Sequence, residues 1–277
     1  KLDVDNYIEL IHFHIKNGTN GLVPAGTTGE SPTLSHEEHE KVIELCINET
    51  KGKIPVIAGT GSNSTEEAIS LTKHAERAGA DAALLVTPYY NKPTQEGLYQ
   101  HYKAINDSCG IPMIIYNIPS RSVIDITVDT MARLFELKNI VGVKDATGIL
   151  DRVNQQKEKM GNDFIQLTGE DANVLEFNKR GGIGCISVTA NIAPKLCSDF
   201  QKFSLSKNNN EIKEAERIND LLQPVHKSLF IESNPSPVKY AAKLLNLCSD
   251  EVRLPLVKVT NSTKESIKNA LVSAKLI

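Results

Sequence analysis

The chain has 277 residues, 40% of them hydrophobic, and its 31 Lys and Arg against 34 Asp and Glu leave a formal charge of −3. That length forms either two domains or one α/β barrel of about 250 residues with an extension. With neither a basic stretch nor an acidic tail, the chain is not built to track phosphates or lie on a membrane surface, so nucleic-acid and membrane partners are excluded and a small-molecule site is the default.

Five cysteines (Cys46, Cys109, Cys185, Cys197 and Cys248), odd in number and without a CxxC pair, read as reduced thiols in a cytoplasmic protein. No run approaches the ~18 apolar residues of a membrane helix, and no signal-peptide pattern is read at the start.

In chain order, segment 4–17 carries Tyr7, Ile8, Leu10, Ile11 and Ile15 on one broad face and reads as a helix. Short apolar runs bounded by Gly, Pro or Asp follow at 22–26, 55–60, 82–88, 113–119, 140–146, 164–171 and 185–191, and read as seven strands. Helical periodicity lies between them, with start signals at Ser35-His-Glu-Glu38, a capping box, and at Ser64-Thr-Glu-Glu67. Strands apolar on both faces, alternating with helices, require a parallel sheet covered by helices. A doubly wound sheet would show an early nucleotide-binding turn, but Gly59-Thr-Gly61 is followed by Ser62-Asn63-Ser64 and the GxGxxG pattern fails. The expected architecture is therefore an α/β fold, a (β/α)8 TIM barrel over 1–193. Its last helix and a C-terminal helical domain occupy 194–277, with helical periodicity at 211–231, 237–247 and 262–277. Seven strands are one short of the eight a barrel needs, so either the first strand lies upstream of Lys1 or the barrel closes differently.

Chemistry in such a barrel sits at the carboxyl ends of the strands. Lys144 closes Ile140-Val-Gly-Val-Lys-Asp145; entering from apolar neighbours it suits attack on a carbonyl as a free amine, and the plainer reading is an ion pair with Asp145. Tyr116 ends the preceding run, as a proton shuttle or as a packed phenol with one hydrogen bond. Arg121 follows in a loop, either a planar fork for a carboxylate or a solvated side chain. Gly26-Thr-Thr-Gly-Glu30 offers amides and hydroxyls that suit a carboxylate, or is simply a turn. Tyr89-Tyr90-Asn-Lys-Pro93 suggests an interface or a lid. His36 and His39 form an HxxH at a helix start without the His-Glu-x-x-His pattern, and no metal site is expected.

Taken together, Gly26-Thr27-Thr28-Gly29-Glu30, Pro88-Tyr89-Tyr90-Asn91, Tyr116-Asn-Ile-Pro-Ser-Arg121, Gly142-Val-Lys-Asp-Ala-Thr-Gly148 and Ile186-Ser-Val-Thr-Ala-Asn191 resemble, in order and spacing, the dihydrodipicolinate synthase family of the pyruvate-dependent lyase and aldolase superfamily. The resemblance runs nearly end to end. It implies the same barrel with a C-terminal helical domain, a homotetramer built as a dimer of dimers, and no cofactor. Lys144 would form a Schiff base with pyruvate, and Tyr116 would move protons beside the imine. Thr27 and Tyr90 would complete a relay, Tyr90 reaching in from the neighbouring subunit. Thr28 would bind the pyruvate carboxylate, backbone at Gly169 and Ile186 would shape the pocket opposite, and Arg121 would hold the carboxylate of L-aspartate 4-semialdehyde. The product implied is 4-hydroxy-tetrahydrodipicolinate, on the route to diaminopimelate and lysine. Sialic-acid lyases share the lysine and tyrosine but typically carry Gly-Ser-Thr-Gly-Glu and lack this arginine, so a sugar-acid aldolase ranks second. A non-catalytic scaffold ranks third, because no chemical residue is missing.

The resemblance further implies inhibition by L-lysine in a dimer-interface cleft matching Ser31, Pro32, His36, His39, Asn63, Glu67 and Tyr89, with Glu67 supplying charge and His36 a polar wall. Family members commonly have alanine where this chain has Pro32.

Overall fold

Six short strands, all parallel and each beside its predecessor in the chain, organise the molecule. The computed structural model describes residues Lys1–Ile277. Helix α1 (Val4–Lys16), a 3-10 turn (Ser31–Thr33) and α2 (His36–Thr50) precede the sheet. Then come β1 (Ile57–Gly59), α3 (Thr65–Ala78), β2 (Ala82–Val86), α4 (Gln95–Ser108), β3 (Met113–Asn117), the short α5 (Pro119–Ser122) and α6 (Val128–Phe135). The sheet continues with β4 (Ile140–Asp145), α7 (Asp151–Met160), β5 (Ile165–Thr168), a 3-10 turn (Asp171–Asn173), α8 (Val174–Lys179) and β6 (Gly184–Cys185). A last 3-10 turn (Thr189–Asn191) leads into α9 (Pro194–Ser204), α10 (Asn209–Ser228), α11 (Ser236–Leu244) and α12 (Asn261–Ser273). No helix is long and apolar enough to cross a membrane, and the five cysteines form no disulfide.

Each strand is apolar on both faces because both are covered. Ala83, Leu85, Met113, Ile115, Ile140 and Val143 face the helices, where they join Leu98, Tyr102 and Ile105 of α4 and Met131 and Leu134 of α6 in the largest core cluster. Leu84, Ile114 and Tyr116 face the other way, towards Val23, Ile57, Val86, Leu167 and Ile186. A separate core under α10, α11 and α12 is built from Val225, Leu229, Val238, Ala241, Ile267 and Leu271.

The helix starts follow the local chemistry. At α2 the Ser35 hydroxyl accepts from the Glu38 N–H at 3.2 Å and the Glu38 carboxylate accepts from the Ser35 N–H at 3.1 Å, a complete capping box. At α3 the Ser64 hydroxyl caps the Glu67 N–H, but the Glu67 carboxylate turns away to His36 and Ser62, so no box forms.

The expected strand at 22–26 reduces to a single parallel bridge between Leu22 and Val56. Pro24 has no N–H to give a ladder, and Ala25 already stands in the left-handed region (φ 55°) as the chain enters the Gly26–Glu30 turn. The run at 185–191 yields only Gly184–Cys185, because the following residues fold round the buried Asp171 carboxylate, which accepts from the Val188 N–H at 2.8 Å, the Thr189 N–H at 3.3 Å and the Ser187 hydroxyl. Asp171 likewise ends the run at 164–171 early, by opening a 3-10 turn.

Two glycine features set how the strands meet. The register of β3 on β4 shifts after Met113–Ile140, so that Ile114 pairs with Gly142 and Tyr116 lies opposite Lys144. At this bulge a Cβ on residue 142 would stand 2.3 Å from the Ile165 carbonyl oxygen. A Cβ on residue 59 would stand 2.3 Å from the Ala25 carbonyl oxygen, and one on residue 61 equally close to the Val86 nitrogen, so Gly59-Thr-Gly61 serves close backbone packing.

Candidate active site

Successive strand ends bring the chemistry to one cavity of about 870 Å³, which Thr27, Thr28, Tyr116, Arg121, Lys144, Gly169 and Ile186 all line. Lys144 enters from β4, half-buried, with its Nζ 4.0 Å from the centroid of the Tyr116 ring. Alternation along the strand sends Asp145 to the opposite face. There its carboxylate accepts from Arg152 Nε at 3.1 Å and from the Thr147 hydroxyl at 2.6 Å. Arg152 also donates to Asp125 at 3.1 Å and to the Ile126 carbonyl at 2.6 Å. The ion pair that offered the plainer reading of Lys144 is therefore absent: Asp145 is committed to Arg152, and Lys144 pairs with no carboxylate.

Gly169 makes room for the lysine stem. A Cβ there would lie 3.0 Å from Lys144 Cε and 2.9 Å from the Ala146 Cβ. Tyr116, only 7% exposed, has its hydroxyl free of any partner within the chain, as a group that exchanges protons with a ligand requires.

The Gly26–Glu30 turn closes through Gly29 N–H to the Gly26 carbonyl and Glu30 N–H to the Thr27 carbonyl, leaving the Thr27 and Thr28 amides without partners in the chain. Its end is fixed from far along the sequence. Glu30, held at φ 55°, pairs with Lys239 of α11 at 2.7 Å and accepts from the Arg253 N–H at 3.0 Å. The Arg253 guanidinium forks onto Glu38 and donates to the Thr33 carbonyl at 2.7 Å. That fork is the largest influence drawing the Glu38 carboxyl down to about 2.

Arg121 stands exposed at the cavity and donates from one guanidinium nitrogen to the Asn234 carbonyl at 3.2 Å. Asn234 is a residue that the sequence reading missed, lying just before α11, between the helical segments read at 211–231 and 237–247. Glu170 was missed as well. It lines the cavity beside Gly169, and burial, with Asp171 next to it, holds its carboxyl above the ordinary range.

Tyr90 is not brought into the cavity. It is 89% exposed, at a left-handed φ of 74°. The remaining expected residues gather elsewhere. His36 Nε2 meets Glu67 at 2.9 Å, the Ser62 hydroxyl donates to the same carboxylate, and Asn63 donates to the Tyr89 carbonyl at 3.2 Å. The Ser62 hydroxyl is the main cause of the lowered Glu67 pKa, with His36 adding to it. His39 is buried beneath, hydrogen-bonded to the Gly59 carbonyl at 2.9 Å, so the two imidazoles of the HxxH diverge. Ser31 and Pro32 form the 3-10 turn leading to α2. None of these seven residues lines the large cavity, and no group of three or more His, Cys, Asp or Glu is placed to hold a metal ion.

Among relatives, 4-hydroxy-tetrahydrodipicolinate synthase of Pelagibacter ubique (strain HTCC1062) is 78% identical over 277 residues, covering 100% of this chain and 94% of the relative. The crystal structure of the chloride-inhibited dihydrodipicolinate synthase from Acinetobacter baumannii, complexed with pyruvate, superposes with a TM-score of 0.96 at 47% identity, covering 100% of this chain and 94% of that one. The enzyme of Cyanidioschyzon merolae with lysine bound does so with a TM-score of 0.96 at 35% identity, covering 100% and 93%. The model of the dihydrodipicolinate synthetase family matches residues 1–274. By fold, by sequence over its whole length and by the strand ends that meet in its cavity, the chain belongs to the dihydrodipicolinate synthetase family.

Proposed function

We propose that this cavity joins pyruvate to L-aspartate 4-semialdehyde through a Schiff base on Lys144, forming 4-hydroxy-tetrahydrodipicolinate for lysine and diaminopimelate synthesis. The observation that carries this reading is the setting of Lys144: without a carboxylate partner, beside the Tyr116 ring and in one cavity with a turn whose Thr27 and Thr28 amides have no partner in the chain.

The lysine amine adds to the ketone carbon of pyruvate and water leaves, giving an imine whose positive nitrogen draws electrons from the adjacent methyl group. That methyl loses a proton and becomes an enamine carbon. Tyr116, with Thr27, carries the protons. The Thr28 hydroxyl and amide hold the pyruvate carboxylate, and backbone at Gly169 and Ile186 bounds the opposite wall. The enamine carbon attacks the aldehyde of the second substrate, whose carboxylate Arg121 holds. The substrate's own amine then attacks the imine carbon, closes the ring and displaces Lys144.

The near-complete exposure of Tyr90, at a backbone angle costly for a tyrosine, supports a place for its phenol in a neighbouring copy's relay, within a dimer-of-dimers homotetramer. Strand order without reversal, which a doubly wound sheet would show at its switch point, supports a (β/α)8 barrel over 1–193, with 194–277 forming its last helix and a C-terminal helical domain. Five unpaired thiols and small-metabolite substrates support a cytoplasmic location. L-lysine inhibits by binding beside Glu67 and His36, within reach of Ser31, Pro32, Asn63 and Tyr89, its ammonium facing the ionised Glu67.

Borohydride reduction in the presence of pyruvate, followed by peptide mass analysis, tests the central step. One reduced pyruvate on Lys144 is expected, and its absence overturns the reading. Turnover of a sugar acid in place of the semialdehyde would instead assign the chain to the aldolase chemistry of its superfamily. Activity unchanged across a lysine titration would overturn the inhibitory role.

A further inference from the structure

We infer that Asn234 is a positioning residue that fixes the donor direction of the Thr28 hydroxyl and the placement of Arg121, a role resting on the condensation reading above. Asn234 precedes α11 and is only 5% exposed. Its Nδ2 donates to Thr28 Oγ1 at 2.9 Å, and its main-chain carbonyl accepts from Arg121 at 3.2 Å. A hydroxyl has one hydrogen and two acceptor sites. With one acceptor site filled by the Asn234 amide, the Thr28 proton remains available to a carboxylate in the cavity. Were the amide turned over, its oxygen would take that proton and Thr28 would face the substrate as an acceptor, opposing a carboxylate. The Asn234 Oδ1 is buried without a partner, so the bond to Thr28 is the only one the side chain makes.

Because the same residue touches Thr28 through its side chain and Arg121 through its backbone, it also sets the spacing between the two groups that hold carboxylates. Asn234→Ala frees the hydroxyl to rotate. Asn234→Asp keeps the side-chain volume but offers only acceptors, so it captures the Thr28 proton and adds negative charge beside a carboxylate site.

Steady-state kinetics of the full-length enzyme separate this role from a merely structural one. The pyruvate KM is expected to rise ~10-fold in Asn234→Ala and further, at least ~30-fold, in Asn234→Asp, with a smaller fall in kcat and with the borohydride adduct still forming at saturating pyruvate. A structural role gives the reverse order: the volume-conserving Asp variant lies nearer wild type, and the folded fraction of each keeps the wild-type pyruvate KM. That result overturns the inference. In a Thr28→Val background, Asn234→Ala is expected to change the pyruvate KM less than ~2-fold, since there is no hydroxyl left to direct; an undiminished effect also overturns it. Wild-type enzyme that forms no pyruvate adduct removes the condensation reading itself, an outcome distinct from either.

Discussion

Residue 169 can carry only a hydrogen towards the cavity. A methyl group there would press on the Lys144 stem at 3.0 Å and on Ala146 at 2.9 Å, and the lysine end is the softer of the two. Gly169→Ala is therefore expected to tilt the amine away from the Tyr116 ring and lower kcat/KM about 10²-fold, the scale of a misplacement near 1 Å, and to lower the melting temperature by a few degrees because the Ala146 methyl has no torsion with which to yield. Kinetics beside a thermal melt check this. Arg121 is the residue proposed to act on the other substrate. Arg121→Ala is expected to raise the semialdehyde KM ~10–100-fold and leave the pyruvate KM within ~2-fold, because the charge-assisted bond to the second carboxylate is lost whereas Asn234, though it loses the Arg121 bond to its carbonyl, keeps its side-chain bond to Thr28.

At the scale of elements, the threonine turn is held at its far end by α11 and the segment at Arg253. Glu30 and Lys239 are largely shielded, at 14% and 25% side-chain exposure, so Glu30→Gln leaves an ammonium without its counter-charge. A loss of about 2 kcal/mol follows, read as a fall of roughly 5 °C in melting temperature. Much of this architecture was legible in the sequence. The runs that became β2, β3 and β4 carried continuous apolar character, and Ser35-His-Glu-Glu38 announced α2 by a capping box that the structure completes. Lys144 and Tyr116 could be singled out because they end such runs. At Leu22 the apolar run yields a single bridge because Pro24 has no N–H to give a ladder. Asn234 and Lys239 could not be found, since they act on Thr28 and Glu30 across 206 and 209 residues of chain. Only packing reveals such partnerships.

For the molecule as a whole, acid is the expected weakness. Burial lowers the pKa of both His14 and His101 from 6.5 to about 4. His14 is hydrogen-bonded to Thr19 at 3.0 Å and His101 to Thr65 at 2.9 Å. Between those limits the unfolded chain binds more protons than the folded one, so stability falls as pH drops from about 6.5 to about 4, by up to roughly 3 kcal/mol per ring. Thermal melts from pH 7 to pH 4.5 should show the decline; burial lowers His39 and His226 as well, so His101→Gln should remove only its own share of it. A slope unchanged in that variant would place the acid sensitivity elsewhere.

The anchors of the threonine turn also give the site a date of birth. At ~5–20 residues per second of synthesis, a contact spanning 206 residues leaves the turn waiting about 10–40 s before Asn234 emerges to meet Thr28. Until then the growing polypeptide displays Thr28 without the amide proposed to aim it. The proposed grip on a keto acid is thus withheld from the nascent chain until its later part has been made.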